Sequence, residues 1–111
     1  MTRTFPSARC LSAVLPALLV WATPVAHAQG SADAGRSKIS MCVGCHEIPG
    51  YRASYPSVYS VPKISGQSAK YIENALQEYR KGDRTHPTMR GIAGALSDRD
   101  MADLAAYYGT K

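Results

Sequence analysis

The 111-residue chain lacks several features that other protein classes require. Its single tryptophan and single phenylalanine both lie within the first 28 residues. No apolar run reaches the roughly 20 residues that a membrane-spanning helix needs. Internal repeats and low-complexity segments are absent from the sequence, which excludes a repeat architecture. The length allows at most one ordinary domain.

The first 28 residues have the pattern of an export signal. Arg3 and Arg9 precede an apolar segment at residues 11–22, and residues 26–28 (Ala-His-Ala) form a small-x-small cleavage site. The sequence has no Arg-Arg pair, so we predict a Sec-type signal. We expect export to the periplasm and cleavage that leaves a domain of residues 29–111 without a transmembrane span. A leader retained as an N-terminal anchor is the alternative.

The predicted mature domain is small and mildly basic. Its 83 residues include two cysteines, seven tyrosines, eleven Lys or Arg and eight Asp or Glu, which gives a net charge of +3 with neutral histidines. The opposite charges are mixed along the chain, so we expect no nucleic-acid partner. A domain of this size buries only a modest core and often depends on a covalent or metal staple.

Residues 42–46 read Cys-Val-Gly-Cys-His, the C-x-x-C-H spacing that is typical of covalent haem attachment. Two thiols three positions apart can each add to one vinyl group of the same haem. The histidine that follows then supplies an imidazole nitrogen to the iron. The sequence therefore predicts one haem c attached through Cys42 and Cys45, with His46 as an axial ligand.

Other interpretations of the two cysteines are a redox dithiol, a structural disulfide and half of a zinc site. A redox dithiol usually lies in a βαβ context, and the sequence shows no strand pattern. In an oxidising compartment the pair would form a strained disulfide. A zinc site would combine the cysteines with His46 and His86, but adjacent Cys45 and His46 are poorly spaced for one tetrahedron. The haem interpretation is favoured.

Hydrophobic periodicity predicts three main helices. The first begins at Ser31 as N-cap and carries an apolar stripe that ends at Cys42. The second covers residues 68–81 and ends at Gly82 in the C′ position. Residues 47–61, which contain prolines, serines and three tyrosines, have neither a helical nor a strand period, and we predict a loop there.

The last helix has the clearest start signal. Ser97 and Asp100 have the spacing of a capping box, with Asp in place of the usual Glu. The apolar stripe of this helix is predicted to be buried and consists of Met101, Leu104, Ala105 and Tyr108. A short, glycine-rich helical turn at residues 90–96 precedes it.

The second axial ligand decides whether the iron has an open position. Met41 directly precedes the haem motif, and we expect it to point away from the far face. Met101 lies on the stripe of a well-capped helix and is expected in the core. Met89 follows a proline in an irregular stretch 43 residues after His46, which leaves room for the chain to pass around the haem edge. Met89 is therefore the favoured ligand, and His86 is the alternative.

In combination and order, these motifs resemble a bacterial class I cytochrome c. The segments that carry the resemblance are CVGCH at 42–46, PKISGQ at 62–67, HPTM at 86–89, LSD at 96–98 and LAAYY at 104–108. They cover nearly all of the predicted mature chain. The similarity is greatest to one domain of the periplasmic two-haem cytochromes c and to their small one-haem relatives.

The resemblance implies an all-α fold in which three main helices and a short one surround a single covalent haem. It implies that the first and last helices cross near Gly35 and Tyr107. It also implies that the carbonyl of Pro62 accepts a hydrogen bond from His46, and that Met89 is the sulfur ligand of the iron. The loop at 47–61 departs from the family pattern because it is longer and richer in tyrosine.

With both axial positions filled by side chains, the protein is expected to be a one-electron carrier and not an enzyme. We expect a monomer that docks transiently, and partly electrostatically, on redox proteins such as a membrane oxidase or reductase. The basic residues expected around the haem edge are Lys63, Lys70, Arg80, Lys81, Arg84 and Arg90. A haem-based peroxidase, or a ligand-binding or sensor module with a labile sixth ligand, is the alternative.

Overall fold

The computed structural model describes residues 29–111, and the predicted signal at 1–28 lies outside them. The elements, in order, are α1 (Ala32–Arg36), α2 (Ser40–His46), β1 (Arg52–Ala53), β2 (Tyr59–Ser60), α3 (Ala69–Lys81), α4 (Pro87–Gly94) and α5 (Asp98–Gly109). The chain is therefore mostly helical, as predicted. Within residues 29–111, no helix is long and apolar enough to cross a membrane.

The first predicted helix is divided in two. Ser31 caps α1 as expected, and its hydroxyl accepts a hydrogen bond from the Ala34 N–H at 3.4 Å. After one and a half turns the Ser37 hydroxyl donates to the Ala34 carbonyl at 2.8 Å, a local bond that competes with helix continuation. The chain becomes helical again at Ser40, so the 42–46 motif lies on a separate short helix.

Helix α5 is the centre of the core and contacts both α1 and α3. The buried cluster consists of Ile72, Leu104, Ala105, Tyr107 and Tyr108. All four predicted stripe residues of α5 are at most 2 % exposed, which confirms the expected buried face. The Ser97–Asp100 capping box is also present, with both reciprocal hydrogen bonds formed.

Helices α1 and α5 cross at the position that the resemblance implied. Gly35 is buried there, and a methyl group on it would lie 2.8 Å from the Tyr107 Cβ. Only a residue without a side chain allows the two backbones to approach this closely. The crossing thus joins the two ends of the described chain, while α3 packs on α5 as well and α4 packs on α3.

A polar cluster that the sequence did not predict stabilises this crossing. The Asp103 side chain is buried and accepts hydrogen bonds from the Ser31 N–H at 2.8 Å and from the Lys38 ammonium at 2.7 Å. Arg99 lies 3.1 Å from the same carboxylate, and Asp100 lies 2.7 Å from Lys38. The hydrogen bond from Lys38 is the main reason why the pKa of Asp103 lies below its usual value.

The loop predicted at 47–61 contains a small β-ladder, so the prediction of no strand was wrong there. Strands β1 and β2 pair antiparallel, with Arg52 opposite Ser60 and Ala53 opposite Tyr59. The turn between them includes a cis Tyr55–Pro56 bond. Strands of two residues are too short to produce an alternating pattern, which explains why the sequence did not reveal them.

Candidate haem site

A cavity of about 470 Å³ opens between α2, the 52–60 hairpin, α3 and α4. His46 and Met89 both line it, together with Cys45 and Pro62. Its apolar walls include Val61, Ile64, Ala75, Leu76 and Ile92. A smaller recess of about 40 Å³ continues towards α5, and Cys42 lines it. The fold thus brings the five predicted site residues together around two neighbouring cavities that share His46 and Met89.

Helix α2 fixes the positions of the two cysteines. One turn separates Cys42 from Cys45, which places the sulfurs on adjacent parts of the same helical face. Within residues 29–111, the two sulfurs form no disulfide. The same residues contain no group of three or more His, Cys, Asp or Glu side chains that is arranged to hold a metal ion.

His46, the last residue of α2, has its ring orientation fixed by the backbone. Its Nδ1 lies 2.7 Å from the carbonyl oxygen of Pro62. Because a carbonyl can only accept, Nδ1 must carry the proton in this contact, and Nε2 keeps its lone pair. An imidazole held in this way presents Nε2 as a metal ligand, and the hydrogen bond raises its basicity.

Met89 lies in the first turn of α4, not in the irregular stretch that the sequence suggested. Pro87 is the first residue of this helix, where a missing N–H has no cost. His86 is the N-cap, and its Nδ1 accepts a hydrogen bond from the Met89 N–H at 3.3 Å. An imidazole is an unusual cap, so the start of α4 was missed. Met89 is half-buried and lines both the cavity and its recess.

The other methionines behave differently from Met89. Met101 is fully buried in the core and lines neither the cavity nor the recess, as expected. Met41 is 49 % exposed and lines both the cavity and the recess from α2, the helix that carries His46. It lies four residues before Cys45 on α2 and therefore shares its face.

The tyrosines of the 47–61 loop take part in the site. Tyr51, Tyr55 and Tyr59 all line the cavity, although Tyr55 is 66 % exposed. The Tyr59 ring meets the His86 ring edge-on, with centroids 5.0 Å apart. The 52–60 hairpin therefore forms one wall of the cavity.

Two of the six basic residues expected around the haem edge, Lys63 and Arg84, line the cavity. The Arg84 guanidinium donates to Glu78 at 2.6 Å and to the Tyr71 hydroxyl at 3.3 Å. These bonds raise its pKa further above its usual value. Among the other four, Lys70 is 3.8 Å from Glu73, and Arg80 pairs with Asp98.

The residues around the cavity fit a haem. The walls are apolar, two thiols and one imidazole with a free Nε2 lie at one side, and a thioether lies on a different helix. The volume is in the range of cofactor pockets. One polar atom in the cavity wall, Nε2 of His86, is buried and has no hydrogen-bond partner in the part of the chain that the structure describes. Such an atom normally requires a partner that a bound group would supply.

The cytochrome c family model matches residues 32–110, and the chain therefore belongs to the cytochrome c family. Its fold is that of the class I cytochromes c, and its cofactor is covalently bound haem c.

Within the family, the chain is 41% identical over 85 residues to cytochrome c-554(548) of Halomonas halodenitrificans. This alignment covers 74% of this chain and 98% of that protein. The chain is also 37% identical over 89 residues to cytochrome c4 of Pseudomonas aeruginosa. That alignment covers 80% of this chain but only 42% of the cytochrome c4.

A solved structure leads to the same family. The crystal structure of reduced recombinant cytochrome c4 from Pseudomonas stutzeri aligns with a TM-score of 0.56 and 28% identity, covering 73% of this chain and 50% of that one. The chain thus spans about half the length of the cytochromes c4 and nearly the whole length of cytochrome c-554(548).

Proposed function

We propose that this protein is a periplasmic one-electron carrier with a single haem c, bound through thioethers at Cys42 and Cys45, and with His46 and Met89 as axial ligands. One observation carries the proposal: His46 and Met89 line the same apolar cavity from two different helices. The haem supplies the one-electron iron couple, and the protein supplies position, burial and a docking surface.

Pro62 orients His46. Its carbonyl accepts the Nδ1 proton at 2.7 Å and so keeps the imidazole in the tautomer whose Nε2 can bind iron. The hydrogen bond also stops the ring from rotating about its axis. A ligand held in this way keeps its position in both oxidation states, so little reorganisation accompanies electron transfer.

The hydrogen bonding of His86 supports Met89 over His86 as the second ligand. Nδ1 of His86 accepts the Met89 N–H, so the proton of a neutral His86 ring must lie on Nε2. A protonated nitrogen has no lone pair for iron. Met89 has no such constraint, and a thioether favours ferrous iron and raises the reduction potential.

The surface around the cavity suits transient docking. Tyr55, Val58 and Tyr71 are exposed apolar side chains on or near the cavity wall, and Lys63 adds positive charge beside them. A mixed surface of this kind allows fast encounter and fast release. We infer that the partners are a membrane oxidase or reductase or a periplasmic redox enzyme, and that the protein acts as a monomer that is not itself an enzyme.

Optical spectroscopy of the purified holoprotein tests this function. We expect low-spin spectra in both oxidation states, a weak far-red sulfur-to-iron band in the oxidised form, and no carbon monoxide binding to the reduced form. Haem should stay on the protein in acid-acetone. Rapid carbon monoxide binding together with peroxide turnover would instead support the peroxidase or sensor function.

A further inference from the structure

We propose that His86 links helix α4 to a haem propionate, accepting the Met89 N–H with Nδ1 and donating its Nε2–H to the propionate carboxylate. This inference rests on the proposed haem site and deepens it. It gives His86 the role of a positioning residue, which acts on the sulfur ligand through the backbone.

The first nitrogen defines the start of α4. Nδ1 of His86 lies 3.3 Å from the Met89 N–H, which is one of the N–H groups that no residue within the helix can satisfy. This bond spans the first turn, and Met89 is the residue that donates it. A displacement of the His86 ring would therefore displace the backbone that carries the Met89 sulfur.

The second nitrogen lacks a partner. With Nδ1 used as an acceptor, Nε2 of the neutral ring must carry a proton, and it is a buried donor without a hydrogen-bond partner among residues 29–111. A buried N–H left unsatisfied is costly, so such groups are almost always paired. The partner must therefore be an acceptor that enters the cavity wall at this point.

The chemistry of the cofactor limits the identity of that acceptor. A haem carries two carboxylates as its only strong hydrogen-bond acceptors, and its iron cannot bind a protonated nitrogen. Arg84, two residues earlier, lines the same cavity, where its guanidinium pairs with Glu78 at 2.6 Å. The Tyr59 ring packs edge-on against the imidazole, with the two centroids 5.0 Å apart.

Nuclear magnetic resonance of the reduced, diamagnetic holoprotein, labelled with ¹⁵N in its histidine rings, tests the contact directly. We expect a His86 Nε2–H signal that is protected from solvent exchange and shows a nuclear Overhauser effect to propionate methylene protons. An Nε2–H that exchanges as fast as a free imidazole, or that contacts only protein protons, would overturn the proposal.

Two substitutions test the helix-capping role of Nδ1 and the donor role of Nε2 separately. His86→Asn keeps an oxygen that can cap α4 but removes the N–H donor at the position of Nε2. His86→Gln places an amide N–H close to that position. We expect His86→Asn to keep the far-red band and to lower the midpoint potential, because the propionate charge is then less compensated. His86→Gln should restore the potential towards that of the wild type.

The outcomes distinguish this proposal from the proposed function. A wild-type protein without the far-red band contradicts Met89 ligation, whatever the resonance experiment shows. A wild type with the band, but with equal potentials in the wild type and His86→Asn, overturns the propionate contact alone. Asparagine is a good N-cap, so His86→Asn should still hold the Met89 backbone in place. Loss of the far-red band in this variant would therefore overturn the capping role of residue 86.

Discussion

A methyl group added to Gly35 would lie 2.2 Å from the carbonyl oxygen of Asp103, closer than two such atoms approach in proteins. This contact fixes the distance between α1 and α5. It involves backbone on the α5 side, so no side-chain rotation can relieve the clash. The crossing therefore depends on the absence of a side chain at position 35.

Gly35→Ala should destabilise the holoprotein by about 3 kcal/mol, because the helices must move apart to relieve the overlap. Guanidinium unfolding followed by circular dichroism measures this. Gly94→Ala is the matched control, since a methyl group there would have no atom of residues 29–111 within 4 Å apart from its chain neighbours and the backbone of its own helix. Its effect should stay within about 1 kcal/mol. Equal stabilities of the two variants would contradict the close crossing.

Met89→Ala should remove the far-red band of the oxidised protein and allow the reduced form to bind carbon monoxide, because the sixth position of the iron becomes open. Met101→Leu is the control. It changes a fully buried core residue to one of similar volume and should keep the band, with a cost below about 1.5 kcal/mol. A low-spin spectrum that persists in Met89→Ala but is lost in His86→Ala would show that the ligand is His86.

The Asp103 cluster should make stability depend on acidity. Since the pKa values of Asp103 and Asp100 are lower in the folded protein than in the unfolded chain, their contribution is complete above about pH 5 and declines as the pH falls below about 4. Asp103→Asn should lower the free energy of unfolding by about 2 kcal/mol at pH 7.

The difference between wild type and Asp103→Asn should shrink at pH 2 to 3, because the unfolded chain then takes up protons on its carboxylates more readily than the folded protein does. Denaturant titrations at both pH values measure it. Asp33→Asn is the control, because Asp33 is exposed and forms no salt bridge among the residues that the structure describes. A difference that is the same at both pH values would show that the charge of Asp103 has no role.

Charge at the cavity edge should affect the rate of electron transfer with an acidic partner. Lys63→Glu should slow the bimolecular reaction at low ionic strength, and the effect should fade with salt because screening lengths are about 8 Å at physiological ionic strength. Lys70→Glu makes the same charge change at an exposed residue that does not line the cavity.

Stopped-flow kinetics over a range of salt concentrations compares the two lysine variants. We expect the Lys70 variant to react nearly as fast as the wild type. If both variants slow the reaction equally, the effect is one of net charge and not of position. A wild-type rate that does not fall with salt would instead favour docking through the tyrosine-rich hairpin.

The protein without haem should be largely unfolded. The cavity of about 470 Å³ has largely apolar walls, and apart from Ile72 the apolar side chains that line it are only partly buried or exposed. A Cys42→Ala/Cys45→Ala variant isolated without haem should show weak helical circular dichroism and no cooperative melting. A helical, cooperatively melting apoprotein would contradict this.

The sequence predicted those parts of the structure that depend on local signals. The capping box at Ser97, the end of α3 at Gly82 and the buried stripe of α5 depend on neighbouring residues, and all three are confirmed. The start of α4 was missed because a histidine ring replaces the usual Ser, Thr, Asp or Asn cap. The hairpin was missed because two paired residues in each strand leave no period.

The site was only partly predictable for a similar reason. The haem motif and the later methionine could be identified from spacing and order. The burial of Asp103, by contrast, depends on Ser31 and Lys38, which are 72 and 65 positions away in the sequence. Neither partner carries a local signal, so only the folded arrangement reveals the cluster.

The contact between α1 and α5 should hold the protein together after proteolytic cleavage of the 52–60 hairpin. The turn of the 52–60 hairpin is exposed, with Tyr55 and Val58 each 66 % accessible, and loop tips of this kind are preferred sites of proteolytic cleavage. A cut at the tip would separate α1 and α2, with the haem motif, from α3, α4 and α5, with Met89. Because α1 remains packed on α5, the two fragments should stay associated after cleavage. A far-red band that persists after the cut would report this association.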